Sequence, residues 1–390
     1  MKKIILLLNI LLITSFVLAQ CITTEDANNT ISFCKYGGGS IGTEDSRVNN
    51  TIVAQAQKWM SSMFTIVIDP AIKKTKGLRG TWNGSVKITT DDGLVPYQME
   101  ALMQELGCTK SQKLYEKEES GIIITFHINS LYGIATTSKH TEYVLVKKST
   151  EEKKVFDKVN GRQLYLLNQP TASERYSSFI YYRKEEDGTK NIAVAKEGIP
   201  LFLPVSIKEV LLLNKTNYTL VMNGQNKIYT DFIKLGLEGY LAQMDLINFE
   251  KTFGKEATEK AKADYKKTYN DQVNGYKKMI EDNIFKKIIS NIDSYLKKSS
   301  ATQLAKPCII DREIFLEDAS ITDAIFLNNP TDGMQYITIN PAYTNKSNPT
   351  APKFVVVQTS INSKSAVSLS GKNFFEDNID FKKLQAILLK

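Results

Sequence analysis

Along this chain the apolar residues change their period several times, and each change marks a predicted element. Residues 4–8 and 10–13 are almost wholly apolar, behind Met1-Lys2-Lys3 and ahead of Val17-Leu18-Ala19. A basic start, a hydrophobic run too short for a stop-transfer helix and small residues at its end predict a secretory signal peptide over 1–19. Residues 20–50 are rich in Thr, Asn, Ser and Gly, with Gly37-Gly38-Gly39-Ser40 at their centre, and predict a flexible lead-in. These glycines lack the Lys and the strand-to-helix setting of a phosphate loop.

From Ile52 the pattern mixes short helical periods with strands. Val95-Pro96 followed by Met99, Leu102, Met103 and Leu106, with Gly107 next, predicts a compact helix with Pro in its first turn and Gly at its stop. Ile122, Ile124, Phe126 and Ile128 alternate with Ile123, Thr125, His127 and Asn129, which predicts a strand with one apolar face. Further strands are expected over 142–147, 162–167, 179–183, 191–196 and 201–205. Lys184-Glu185-Glu186-Asp187-Gly188 supplies the turn that folds two of them into a hairpin.

At Ser206 the period becomes helical. Ser206 and Glu209 form a capping box ahead of the apolar run 210–213, and Asn214, Asn217, Asn223 and Gly224 then weaken the helix. Beyond Tyr229 apolar residues from Phe253 to Ile292 recur every three or four positions and predict long helices over about 229–299. Asn270-Asp271 or Asn274-Gly275 would break them into an antiparallel hairpin. Strands resume at 308–316, 335–340 and 353–361, and a short helix closes the chain at about 380–389.

This order predicts an α+β fold: a mixed N-terminal domain with antiparallel strands over 51–170, and a C-terminal domain over 171–390. In the latter, a long helical hairpin precedes a strand-rich region. Several stretches carry a resemblance: Gly198-Ile199-Pro200-Leu201-Phe202-Leu203-Pro204 running into Val210, Gln303 to Ile310, Ile339-Asn340-Pro341-Ala342-Tyr343, Ala351-Pro352-Lys353-Phe354, and Phe375-Glu376 to Leu388. In order and spacing, residues 175–390 resemble a group of secreted, uncharacterised proteins of Bacteroidota. The resemblance implies export and architecture and adds no site; the asparagines between 214 and 226 depart from the continuous helix of that group.

Charge adds a local feature. The formal charge of +8 drops to +6 without Lys2 and Lys3, and residues 251–300 alone hold 12 Lys against 7 Asp and Glu. A Lys-rich helix is most simply a solvated face; as a binding feature it would suit anionic lipid headgroups or acidic glycans, so membrane-surface contact through the basic helices is one expected partner mode. No nucleic acid partner is expected.

Export makes disulfides the default for Cys21, Cys34, Cys108 and Cys308. Four cysteines permit three connectivities, among them Cys21 with Cys34, which would staple an N-terminal loop, and Cys108 with Cys308, which would tie the two halves of the chain together. The alternative makes Cys21 the lipidated residue of a lipoprotein, against which Gln20 argues.

No stretch assembles a catalytic constellation, no cofactor motif is present, and His127 and His140 have no partner at metal-ligand spacing. Paired carboxylates without histidine would suit glycoside hydrolysis, but Glu116, Glu118 and Glu119 lie in a charged loop beside Lys113 and Lys117. Aromatics give the stronger hint: Trp82 sits between turn residues, and Tyr176, Tyr181 and Tyr182 cluster with Arg175 and Arg183, a set suited to stacking on sugars and holding anionic groups. Core packing is the competing explanation for Trp82 and the tyrosines. The expectation is an exported, non-enzymatic binding protein of the cell envelope, with a glycan or a protein as partner. The alternative is a secreted hydrolase whose carboxylates meet only in the fold.

Overall fold

The computed structural model describes residues 23–39, 49–86, 94–137, 158–171, 181–311, 321–344, 348–362 and 365–388. The chain opens with α1 (Thr24–Asn29), β1 (Phe33–Gly39) and α2 (Asn50–Met63), a π-helical turn (Phe64–Ile68) and α3 (Asp69–Ile72). Strands follow as β2 (Leu78–Val86), β3 (Tyr97–Cys108), β4 (Leu114–Glu116), β5 (Ile122–Ile128), β6 (Ala135–Thr137), β7 (Lys158–Val159), β8 (Arg162–Gln163), β9 (Tyr165–Leu167), β10 (Tyr181–Lys184), β11 (Lys190–Ala195) and β12 (Phe202–Pro204). Helices α4 (Ile207–Ala242), α5 (Leu246–Phe253), α6 (Lys255–Glu281), α7 (Ile284–Lys298) and α8 (Ala301–Leu304) come next. Last are β13 (Ile309–Ile310), β14 (Met334–Ile339), β15 (Phe354–Ile361), α9 (Ala366–Asn378) and α10 (Phe381–Ile387). The fold is α+β.

The chain divides into two compact units, and not at the expected position near residue 170. The first comprises residues up to 136, 165–203 and 337–390; the second comprises 137–164 and 204–336. The helical unit is thus an insertion, and the chain ends in the unit where it began.

The first unit is built on a sheet ordered β1-β2-β3-β5-β15-β11-β10, with β4 on the far end of β3. β1 runs parallel to β2, and the other pairs are antiparallel. Alternation assigns the faces: Met99, Ala101 and Met103 of β3 lie beside Phe126, Ile124 and Ile122 of β5, and with Trp82, Val355 and Val357 they form the main core under α2, α3, α9 and α10. Phe354 and Val356 point the other way, into a second cluster with Tyr181, Ala193, Leu201, Ile337 and Tyr343. A strand covered on both faces reads as a continuous apolar run, which is what Phe354-Val355-Val356-Val357 is.

Two sequence expectations are corrected here. The helix expected over 96–106 is strand β3. Met99, Ala101, Met103 and Glu105 alternate inward, and tertiary pairing with β2 and β5 overrides the local helical spacing. Part of the expected flexible lead-in is ordered: α1 carries a Thr23/Asp26 capping box, and β1 is the edge strand of the main sheet. The expected strand at 142–147 lies outside the described residues.

In the second unit α4 begins at the Ser206/Glu209 capping box, as the sequence predicts, and then runs 36 residues without stopping at the asparagines. Asn214 and Asn217 are buried, so tertiary packing outweighs their poor intrinsic propensity. The helix kinks at Gly236, whose φ of 72° is open to glycine. The expected break at 270–275 lies inside continuous α6; the chain instead reverses through α5 and Gly254, at φ 83°. An aromatic ladder joins α4 to α6: Tyr229 stacks on Tyr276 with centroids 4.8 Å apart, and Phe232 meets Tyr240, Tyr269 and Tyr276. Among the described residues no helix is long and apolar enough to cross a membrane.

The disulfide pairing is also corrected. Cys34 and Cys308 are buried free thiols, so neither Cys21–Cys34 nor Cys108–Cys308 forms. Cys34 sits in the main core, where burial, and then the Asp69 charge, push its pKa up to about 12, against a backbone hydrogen bond from Trp82 that lowers it. Burial alone raises the Cys308 thiol. Cys108 is disulfide-bonded, though not to Cys308, and Cys21 lies outside the described residues.

Candidate functional site

The structure does not assemble the aromatic site expected from sequence. Trp82 is 0% exposed, with its ring between Phe64 at 6.1 Å and Phe126 at 5.9 Å, so no face is left for a ligand. Tyr182 and Tyr181 are neighbours on β10 and therefore point to opposite sides, Tyr182 into the main core and Tyr181 into the second cluster. The Tyr181 hydroxyl donates to the Asn168 carbonyl at 3.0 Å. Arg183 is occupied by a bidentate pair with Glu185, Nε to Oε1 at 2.6 Å and Nη2 to Oε2 at 2.8 Å. Arg175 and Tyr176 lie outside the described residues.

His127 is buried on β5 beside Gln98 and Val356, with its ring 4.8 Å from Tyr132. Asn129, expected on its face, has left the strand and makes backbone contacts instead. His140 lies outside the described residues. Among the described residues no group of three or more His, Cys, Asp or Glu side chains is placed to hold a metal ion.

What the first unit does offer is a groove along α9 and α10. One end is a cavity of about 470 Å³ lined by Asn28, Asn29, Lys74, Lys76, Ser370 and Phe374, with Ala366 and Val367. An adjoining cavity of about 1060 Å³ shares Lys74 and continues past Lys196, Glu197, Asp377, Asp380 and Lys382. Phe374 is 52% exposed, an aromatic ring standing open beside two lysines.

Local sequence places each of these groups. Thr75 is buried, its hydroxyl donating to the Ile72 carbonyl at 2.8 Å, while the flanking Lys74 and Lys76 are exposed. Neither lysine makes an ion pair among the described residues. Gly77, at φ 77°, lets Asn28 and Val367 approach: a Cβ there would meet the Asn28 carbonyl oxygen at 3.0 Å and Val367 Cγ1 at 3.1 Å. The Asn28 side-chain oxygen is buried without a hydrogen-bond donor. Val367, Ser370 and Phe374 share one face of α9 by their i, i+3, i+7 spacing.

The opposite face of α9 is locked to the sheet by two buried carboxylates. Glu105, on β3, accepts hydrogen bonds from Ser365, the N-cap of α9, and from Ser368 at 2.5 Å. Glu376, on α9, accepts from Thr359 of β15 and pairs with Lys372 at 3.0 Å and with Lys190 of β11. Burial lowers the pKa of Lys372, and the Glu376 charge opposes that. Such a doubly anchored helix holds the backbone beneath Phe374 in place, part of the preorganisation a binding surface needs.

Sequence reasoning missed this site because its residues come from 28–29, 74–76, 196–197 and 366–386. Helix α9 carries Ser368, Ser370, Gly371 and Lys372 in its middle, which breaks any apolar stripe. Of the groove's acids, Asp380 is committed: it caps α10 by accepting the Lys383 N–H at 3.0 Å, which with the Lys383 charge keeps its carboxyl below the usual range. Comparison with protein-family models, with characterised proteins and with solved structures returns no match.

Proposed function

We propose that this is an exported envelope protein that binds an acidic glycan, without turning it over, in the groove along α9 and α10. The observation that carries the reading is the open ring of Phe374 beside Lys74 and Lys76 in a cavity with no carboxylate among its described lining residues. An aromatic face stacks on a pyranose ring, and two ammonium groups without an ion pair among the described residues attract uronate or phosphate. The adjoining cavity that shares Lys74 extends the groove past Lys196 and Lys382, which favours a polymer over a monosaccharide. The basic leader with its apolar core over 1–19 supports the address.

Purified protein lacking 1–19 tests the reading by pull-down against acidic and neutral polysaccharide fractions. Retention on acidic fractions alone, with no released sugar, supports it; equal retention on neutral fractions contradicts it. Turnover abolished by Glu197→Gln or Asp377→Asn establishes the hydrolase instead.

A second reading rests on a separate feature. Helix α5 has no buried residue, with Ile247 73% and Phe253 63% exposed, next to the Lys-rich α6. An apolar tip beside lysines suits contact with an anionic membrane surface. Sedimentation with phosphatidylglycerol vesicles tests it: loss of binding in Ile247→Ser/Phe253→Ser supports the reading, and no vesicle binding removes it.

A further inference from the structure

We propose a second binding site, in the helical unit, for a zwitterionic ligand of the amino-acid or short-peptide class. It lies where α7 ends, in a cleft of about 770 Å³ lined by Asn291, Ser294, Tyr295, Lys298, Gln303 and Asp323 among others. This site is independent of the glycan reading and shares no residue with that groove.

The cleft is built around one fixed carboxylate. Tyr295 is 7% exposed, its ring 5.5 Å from Phe326, and its hydroxyl donates to Asp323 Oδ1 at 2.6 Å. Burial first, and then the Asp323 partnership, raise the Tyr295 pKa, so the phenol stays a proton donor and holds the carboxylate in place. Asp323 itself is exposed to the cleft, with its second oxygen unengaged among the described residues. Lys298, the last residue of α7, lines the same cleft and makes no ion pair among the described residues. Two opposite charges facing one cavity without pairing each other are what a ligand carrying both charges satisfies.

The remaining lining fits that class. An ammonium group against Asp323 also lies near the carbonyl end of α7, where the helix dipole favours positive charge. A carboxylate meets Lys298, and the amides of Asn291 and Gln303 with the Ser294 hydroxyl match the donors and acceptors of a peptide bond. The volume accommodates two or three small residues. Asp323 is the single acid among the described lining residues.

Isothermal titration of the protein lacking 1–19 with alanyl-alanine tests this. Binding is expected, weakened at least tenfold by N-acetylation or by C-terminal amidation of the probe, and likewise by Asp323→Asn or Lys298→Gln. Alanine and tetra-alanine as further probes separate a free amino acid from a longer peptide. Unchanged circular dichroism spectra and melting temperatures show that the variants are folded. No alanyl-alanine binding, blocked and unblocked peptides bound equally, or maltose bound in place of the peptide each overturns the proposal.

Discussion

The Asn129 side chain binds the backbone at Lys353, its Oδ1 accepting the Lys353 N–H at 2.8 Å while its amide donates to the Ala351 carbonyl at 3.0 Å. Asn129 follows directly on β5 and has φ 54°, a conformation asparagine tolerates better than most residues. It thereby fixes the entry of β15 into the centre of the sheet. Asn129→Ala leaves the Lys353 amide without that acceptor, and urea denaturation is expected to show a loss of about 1–3 kcal/mol. An unchanged midpoint would make the contact incidental.

The elements legible in the sequence were those whose signal is local. The Ser206/Glu209 capping box, the hairpin turn before Gly188 and the alternation from Ile122 to Ile128 are each complete within a few residues. Helical spacing in 96–106 misled because Met99, Ala101 and Met103 satisfy period two as well, and only pairing with β2 and β5 decides between them. Tyr181, Tyr182 and Trp82 look like a surface cluster on paper, yet alternation and sheet order bury all three. The groove at Phe374 was illegible for the opposite reason: its residues are ordinary one by one, and the fold brings them together.

Trp82 and Phe374 make a direct contrast. Trp82→Ala opens a cavity between Phe64 and Phe126 and is expected to cost about 3–5 kcal/mol. Phe374→Ala removes an exposed ring and is expected to stay within about 0.5 kcal/mol of wild type. Denaturation of the two variants side by side checks both; a stable Trp82→Ala protein would contradict the assigned core.

The thiols of Cys34 and Cys308 are expected to resist alkylation in the folded protein, since burial holds both in the unreactive protonated form. After denaturation without reductant both should label, and peptide mass spectrometry reads the sites. Failure of either to label would restore a disulfide at that residue.

Glu209 predicts a pH dependence. Burial raises its carboxyl pKa, but hydrogen bonds from Ser206 and Asn160 outweigh that and hold it below its ordinary 4.5. Its folded pKa is therefore the lower one, so its contribution is present above about 4.5 and fades as pH falls through the folded value. Glu209→Gln should narrow the melting-temperature difference between pH 6 and pH 3; an unchanged difference would remove the capping box from the acid response.

The most direct test of the glycan groove is titration of polygalacturonate into the protein lacking 1–19 and into its Lys74→Gln/Lys76→Gln and Phe374→Ala variants. The account predicts binding that weakens with added salt, falls at least tenfold in the lysine variant, and falls in Phe374→Ala at unchanged stability. Wild-type affinity retained by both variants would contradict it.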